Sequence, residues 1–172
     1  MRTTTAFVLG MLIAAPALAQ SMPERAGVNS TLGIAPKTAD FVKEAAMSDM
    51  FEIQSSKLAA TKLTGQAKAF ADQMIADHTK TTNELTAAAK AENIPLPAAM
   101  SDSQEDMLTK LQSATDFSRL YFNDQVSAHE SAVSLFDRYS KGGDDPKLKT
   151  WAGATLPALQ HHLEMAQNLR KS

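Results

Sequence analysis

Four long stretches of the chain place apolar residues every three or four positions, the period of an amphipathic α-helix. They cover residues 38–63, 66–91, 116–141 and 146–170, and a shorter helix is predicted over 101–114. No stretch alternates apolar and polar residues with a period of two, so no β-sheet is predicted. The pattern therefore indicates an all-α protein.

The residues at the predicted helix ends support this division. Proline at 95 and at 97 cannot continue the second helix, and Gly142 with Gly143 ends the third. Side chains that cap helix starts stand at the expected places. These are Thr38 or Asp40 for the first helix, Ser101 with Gln104 for the short helix, and Asp145 with Pro146 for the fourth.

The lengths of the connections predict how the helices are arranged. The first and second helices, and the third and fourth, are joined by short turns, which favour antiparallel hairpins. About 24 residues separate the second and third helices, and a 25-residue helix is about 37 Å long. A connection of that length can cross the whole molecule. We therefore expect residues 38–171 to form a ferritin-like four-helix bundle with a long crossover that carries the short helix.

The first residues have the pattern of a secretory signal peptide. Arg2 precedes a short apolar run, and the small residues Ala17 and Ala19 predict cleavage after Ala19. Residues 20–37 contain prolines and glycines without an apolar period, which indicates a flexible leader. We therefore expect a periplasmic or secreted protein. No later apolar run is long enough for an integral membrane span, so any envelope association is expected to be peripheral.

Composition excludes several classes of function. The chain has 17 basic and 19 acidic side chains, so it lacks the basic surface that nucleic-acid binding requires. It has no cysteine, which excludes disulfides, thiolate metal sites and a cysteine nucleophile. No Gly-x-Ser-x-Gly motif is present, so a serine hydrolase of that type is not expected. The oligomeric state is left open by the sequence.

Histidines on three of the long helices are the candidate chemistry. His78, His129 and His162 each fall on the apolar face of their helix, whereas His161 is turned about 100° away from His162. The first helix has no histidine, but Glu52 lies among small residues. Residue counts from the turns place Glu52, His78 and His129 in one layer, and place His162 about one helical turn from it unless Pro157 bends the fourth helix.

A single histidine on an apolar face is usually a core residue that bonds to a carbonyl or hydroxyl group. Three of them with a carboxylate, converging from facing helices, are the donor set with which helical bundles bind metals. The set Glu52, His78, His129 and His162 would suit a divalent transition metal such as Zn, Cu, Fe or Mn. A neutral polar network that links the four helices is the alternative.

Four segments resemble a bacterial secreted family known as domain of unknown function 4142, whose members are often labelled outer-membrane proteins. The segments are FVKEAAMSDMFEIQSSKLA, AKAFADQMIADHTKTTNEL, FSRLYFNDQVSAHESAVSLF and LKTWAGATLPALQHHLEMA. The resemblance implies a ferritin-like fold, with Glu52, Asp77-His78, His129-Glu130 and His162-Leu163 at the family's motif positions. The family's third helix usually opens with Phe-Asp, whereas here Ser118 follows Phe117.

The function expected from these observations is non-enzymatic. A di-iron site of the ferritin type needs a Glu-x-x-His motif on two helices, but Ile75 precedes His78 by three positions and Leu159 precedes His162 by three. We expect metal binding through a buried His/Glu centre, in an envelope or stress-related role. A redox enzyme with a mononuclear metal is the first alternative, and a ligand-free structural or protein-interaction bundle is the second.

Overall fold

The computed structural model describes residues 28–171, and six helices form within that range. They are α1 (Val28–Leu32), α2 (Thr38–Lys62), α3 (Gly65–Ala91), α4 (Asp102–Ser113), α5 (Phe117–Gly142) and α6 (Pro146–Lys171). No strand occurs between residues 28 and 171, so the expected all-α class is confirmed. None of these helices is long and apolar enough to cross a membrane. The predicted signal peptide, residues 1–19, lies outside the described range.

Two of the three predicted helix caps are present. The backbone N–H of Gln104 donates to Ser101 Oγ at 3.4 Å, and the N–H of Ser101 donates to Gln104 Oε1 at 3.1 Å, which completes a capping box. At the start of α6 the N–H of Leu148 donates to Asp145 Oδ1 at 2.8 Å. These bonds satisfy backbone donors that a helix start would otherwise leave free.

The predicted cap of α2 is wrong. Lys37 occupies the capping position, and its side chain makes no capping hydrogen bond. Thr38 is instead the first residue of the helix, where its hydroxyl bonds to the Tyr139 hydroxyl at 2.6 Å and also to Asp144 Oδ1. A tertiary contact with the end of α5 therefore uses the side chain that the sequence pattern assigned to local capping.

The leader contains more structure than its sequence pattern predicted. Residues 28–32 form the short helix α1, and the carbonyl of Ile34 accepts a hydrogen bond of 2.6 Å from Arg138 Nη1 on α5. Leu32 and Ile34 stay largely exposed. The second half of the leader is thus attached to the end of α5 by this hydrogen bond, and Pro36 within it is buried.

The four long helices pack as two hairpins, α2 with α3 and α5 with α6. Across the hairpins, α2 contacts α5 and α3 contacts α6, while α4 packs against α2 and α5. The Phe41 ring, near the start of α2, stacks on the Tyr139 ring near the end of α5, with centroids 3.9 Å apart. Helices α2 and α5 are therefore antiparallel, so α3 and α5 run parallel and residues 92–116 cross the length of the molecule.

The core consists of two apolar clusters separated by a polar layer. One cluster joins the start of α2 to the ends of α3 and α5 and to the first half of α6, and it includes Phe41, Leu85, Phe136 and Leu148. The other joins the opposite ends of these helices and includes Phe70, Met74, Tyr121 and Phe122. The buried polar residues of the middle layer are Asp49, Glu52, Ser55, His78, Gln125, His129 and His162.

Candidate metal centre

Three imidazole rings from three helices meet in the polar layer. His78 on α3, His129 on α5 and His162 on α6 are each no more than 3% exposed. The ring centroids are 5.5–5.6 Å apart. One nitrogen from each ring lies within 4.8 Å of the corresponding nitrogens of the other two. His162 therefore reaches the same layer as the other two histidines, although residue counting placed it about one turn away.

Each ring is held by a hydrogen bond on the side that faces away from the other rings. His129 Nδ1 donates to the backbone carbonyl of Gln125 at 2.9 Å, and His162 Nε2 donates to Asp77 Oδ2 at 2.9 Å. A carbonyl or carboxylate oxygen only accepts hydrogen bonds, so these ring nitrogens carry the hydrogen. The opposite nitrogen of each neutral ring then keeps its lone pair, which is the form in which histidine binds metals.

Asp49 on α2 holds the third ring. His78 Nδ1 donates to Asp49 Oδ1 at 2.8 Å. The other carboxylate oxygen, Asp49 Oδ2, accepts hydrogen bonds from the hydroxyls of Thr81 and Thr82 at 2.9 and 3.1 Å. Asp49 is thus fixed by three donors from α3 and in turn orients the imidazole of His78, as a carboxylate does in a carboxylate–histidine–metal arrangement.

The nitrogens that face one another have no partner. His78 Nε2, His129 Nε2 and His162 Nδ1 are buried, and none makes a hydrogen bond to another protein group. A buried polar atom without a partner costs roughly 1–3 kcal/mol. When all three rings are neutral, these nitrogens cannot satisfy each other, because each offers a lone pair and none carries a hydrogen. A cation bound between the rings would satisfy all three, so the donor set fits a metal ion.

The electrostatic surroundings favour neutral imidazoles at two of the three positions. Burial, with a further contribution from His78, lowers the pKa of His129 to about 3. Burial and His78 also lower the pKa of His162, although the bond to Asp77 opposes this. For His78 burial acts in the same direction, but the hydrogen bond to Asp49 and the charge of Glu52 outweigh it and raise the pKa.

Glu52, the fourth predicted ligand, lies beside the triad rather than between the rings. It is 1% exposed, and its Oε1 is 3.6 Å from His129 Nδ1, the nitrogen that already donates to Gln125. No oxygen of Glu52 belongs to the group of mutually close ligand atoms. Burial raises the pKa of Glu52 to about 7, against an opposing effect of His78. Its role as a direct ligand stays a prediction.

Two residues that position the rings were not identified from the sequence. Asp49 precedes Glu52 by three positions and Gln125 precedes His129 by four, so each shares a helix face with a predicted site residue. This spacing of three or four residues was the sequence feature from which both could have been identified as neighbours of the site. His161 is exposed, as its helical phase predicted.

Comparisons with known proteins give the family and the fold. The profile of a family described as Domain of unknown function (DUF4142) matches residues 23–169. No curated protein matches the chain. A solved structure titled "CopM in the Cu(II)-bound form" is similar to this chain, with a TM-score of 0.69 and 16% sequence identity. The match covers 80% of this chain and 98% of that one. At this identity the likeness concerns the fold.

Proposed function

We propose that this chain, which belongs to the family described as Domain of unknown function (DUF4142), binds one transition-metal ion through His78, His129 and His162. The observation that carries the proposal is the convergence of three buried, unpartnered ring nitrogens. Each of these rings is also fixed on its outer side by an acceptor, which sets the tautomer that a metal needs.

Copper is the metal to test first. Three imidazoles with a carboxylate suit Zn, Cu, Fe or Mn, and among the divalent first-row ions Cu(II) binds a given nitrogen site most strongly. The structurally similar CopM was solved in a Cu(II)-bound form, which supports the same choice for this chain. Zinc is the second metal to test, because three histidines also form common zinc sites.

Glu52 and Asp49 would supply the negative charge that balances a buried divalent cation. Three neutral imidazoles contribute no charge, and an uncompensated ion in a buried site is costly. The carboxylate of Asp49 is fixed behind His78, and that of Glu52 lies beside His129. We keep Glu52 in the proposed metal centre as a counter-charge; to become a fourth ligand its side chain would have to turn from the outer nitrogen of His129 toward the free ring nitrogens.

The proposal also covers the fold family, the compartment and the general role of the protein. We assign the four long helices and the crossover to a ferritin-like bundle, acting in the periplasm or outside the cell in a metal-binding, envelope or stress-related role. The assignment to that compartment rests on the signal-peptide pattern of residues 1–19. A mononuclear redox enzyme is the second candidate, because three protein ligands leave a coordination position free for a substrate.

A calorimetric titration of metal-free protein with Cu(II) and with Zn(II) tests the proposal. We expect one equivalent to bind to the wild type and to His161→Ala, and no saturable binding of that affinity to His129→Ala. His161 is the matched control because it is a histidine of the same helix as His162 but is exposed. Circular dichroism of each variant checks that the helices are retained. Equal binding by wild type and a folded His129→Ala would contradict the proposal.

A further inference from the structure

A groove between α3 and α6 leads from the molecular surface to the triad. It encloses a cavity of about 410 Å³. Its walls include Asp77, His78 and Glu84 from α3, and Trp151, Thr155 and His162 from α6. Two of the three triad histidines therefore lie along this groove. The cavity between α2, α4 and α5 is of similar size, but no triad residue lines it.

The outer part of the groove is acidic. The carboxylate of Glu84 accepts a hydrogen bond of 2.9 Å from Trp151 Nε1, which fixes it on the groove wall. The side chain of Asp77 is 43% exposed and also bonds to His162. Lys80 is the cation that lines the groove, and its ammonium group is 3.8 Å from Glu84. Two carboxylates and one ammonium group give the mouth a net negative charge, which would attract a hydrated divalent cation toward the triad.

The three rings differ in how firmly they are held. Asp49, which holds His78, has a side chain only 10% exposed and accepts two further hydrogen bonds from threonines. His129 is held by a backbone carbonyl of its own helix. Asp77, which holds His162, is partly exposed on the groove, and its other partner is the exposed side chain of Gln73. Water can therefore replace the hydrogen bond of His162 more readily than the other two.

We infer that metal ions reach and leave the triad through the α3–α6 groove, with His162 as the ligand that moves aside and Asp77 as the residue that returns it to position. The inference rests on the proposed metal binding at the same three histidines. The triad nitrogens are buried, so an ion can pass only if a side chain moves. His78 and His162 both line the groove, and of these two His162 has the more exposed anchor.

Blocking the groove tests the route. Ala158 is an exposed residue of the α6 wall, and Ala158→Phe would place an aromatic ring in the groove without altering a triad residue. Ala87→Phe is the matched control, since Ala87 is an exposed alanine of α3 that does not line the groove. Stopped-flow mixing with Cu(II), followed through Trp151 fluorescence, gives the association rate constant. Transfer to an excess of chelator gives the dissociation rate constant.

The expected result is a fall of both rate constants in Ala158→Phe by about tenfold or more, as for a gated site, with the Kd within about twofold of wild type. Ala87→Phe should match the wild type in all three quantities. Rate constants in Ala158→Phe equal to those of Ala87→Phe would overturn the route. If the wild type itself binds no Cu(II), the proposed function fails instead, so the two failures are distinguishable.

A second pair of variants tests the role of Asp77. Asp77→Ala removes the anchor of His162 and should raise the dissociation rate constant by about tenfold, the lower end of the effect of losing a partner of a ligand histidine. Asp72→Ala is the control, because Asp72 is an exposed aspartate of the same helix that pairs with Lys68. Asp77→Asn keeps an oxygen acceptor and should recover part of the loss. A dissociation rate constant in Asp77→Ala equal to that of the control would overturn the role of Asp77.

Discussion

Replacing Asp49 by alanine separates a metal-binding triad from an ordinary buried polar network. The carboxylate of Asp49 accepts the Nδ1 hydrogen of His78 and two threonine hydroxyls. Both hydroxyls also lie within 2.8–3.1 Å of the His78 carbonyl, so they keep an acceptor after the substitution. The buried Nδ1–H of His78 is the group that loses its partner.

Asp49→Ala should lower the stability of the metal-loaded protein in two separate ways. One unpaired buried N–H costs about 1–3 kcal/mol of the free energy of unfolding, with or without metal. Loss of the partner that orients a ligand histidine weakens metal binding by about 10–100-fold, or about 1.4–2.7 kcal/mol. In saturating metal the second loss adds to the first, so the metal-loaded variant should lose about 2.4–5.7 kcal/mol relative to the loaded wild type.

Urea unfolding with and without Cu(II), together with calorimetry, measures both magnitudes. Asp49→Asn is the matched control, since its amide oxygen still accepts from His78 and it should lose less in both measurements. If Asp49→Ala lowers the stability of the metal-free protein but binds Cu(II) with wild-type affinity, then Asp49 is only a structural partner. The reasoning that links it to a metal ligand would then be refuted.

Three further measurements test metal-linked stability, a buried carboxyl group and a buried hydrogen bond away from the triad. At a free metal concentration of about 100 times the Kd, binding should stabilise the wild type by about 2.7 kcal/mol, or very roughly 9 °C in melting temperature. Differential scanning calorimetry should show that chelator removes this gain in the wild type and has no effect on the melting temperature of His129→Ala. Burial, opposed by Lys110, raises the pKa of Asp124 to about 6. Because the folded protein therefore favours the protonated carboxyl group, this group stabilises the fold below its unfolded pKa of about 4. That stabilisation is lost as the pH rises through 6. Asp124→Asn should therefore be more stable than wild type at pH 8, by about 1 kcal/mol after allowance for its partial exposure, and the gain should vanish near pH 3; urea melts at the two pH values check this. Tyr121→Phe removes the buried hydrogen bond of 2.8 Å to Ser56 and should cost about 1 kcal/mol without changing metal affinity, which urea melts and calorimetry would test.

Most of the secondary structure could be predicted from the sequence, because apolar periodicity and helix caps depend on residues close together in the chain. Apolar periodicity located the four long helices to within about a residue at most ends, and the caps at Ser101 and Asp145 were correct. The cap of α2 was missed because Thr38 bonds to Tyr139, which is 101 residues away in the chain. Helix α1 was missed because its five residues are too few to show a period.

Part of the candidate site could also be predicted, because helical phase is a local property of the sequence. Helical phase predicts which residues face the interior, so it identified His78, His129 and His162 as neighbours. Phase does not determine side-chain rotamers or the rotation of one helix against the next. It therefore could not tell that Glu52 approaches the outer nitrogen of His129, or that Asp49 is the carboxylate that bonds to His78. Which nitrogen of each ring is free depends on those contacts.

An anomalous difference map of metal-soaked crystals, recorded at the absorption edge of the metal, would show directly whether His78, His129 and His162 bind one ion. We expect one strong peak among the three rings, about 2.0–2.1 Å from His78 Nε2, His129 Nε2 and His162 Nδ1. A peak at the exposed His161 alone, or no peak among the rings in crystals of protein that binds the metal in solution, would contradict this expectation.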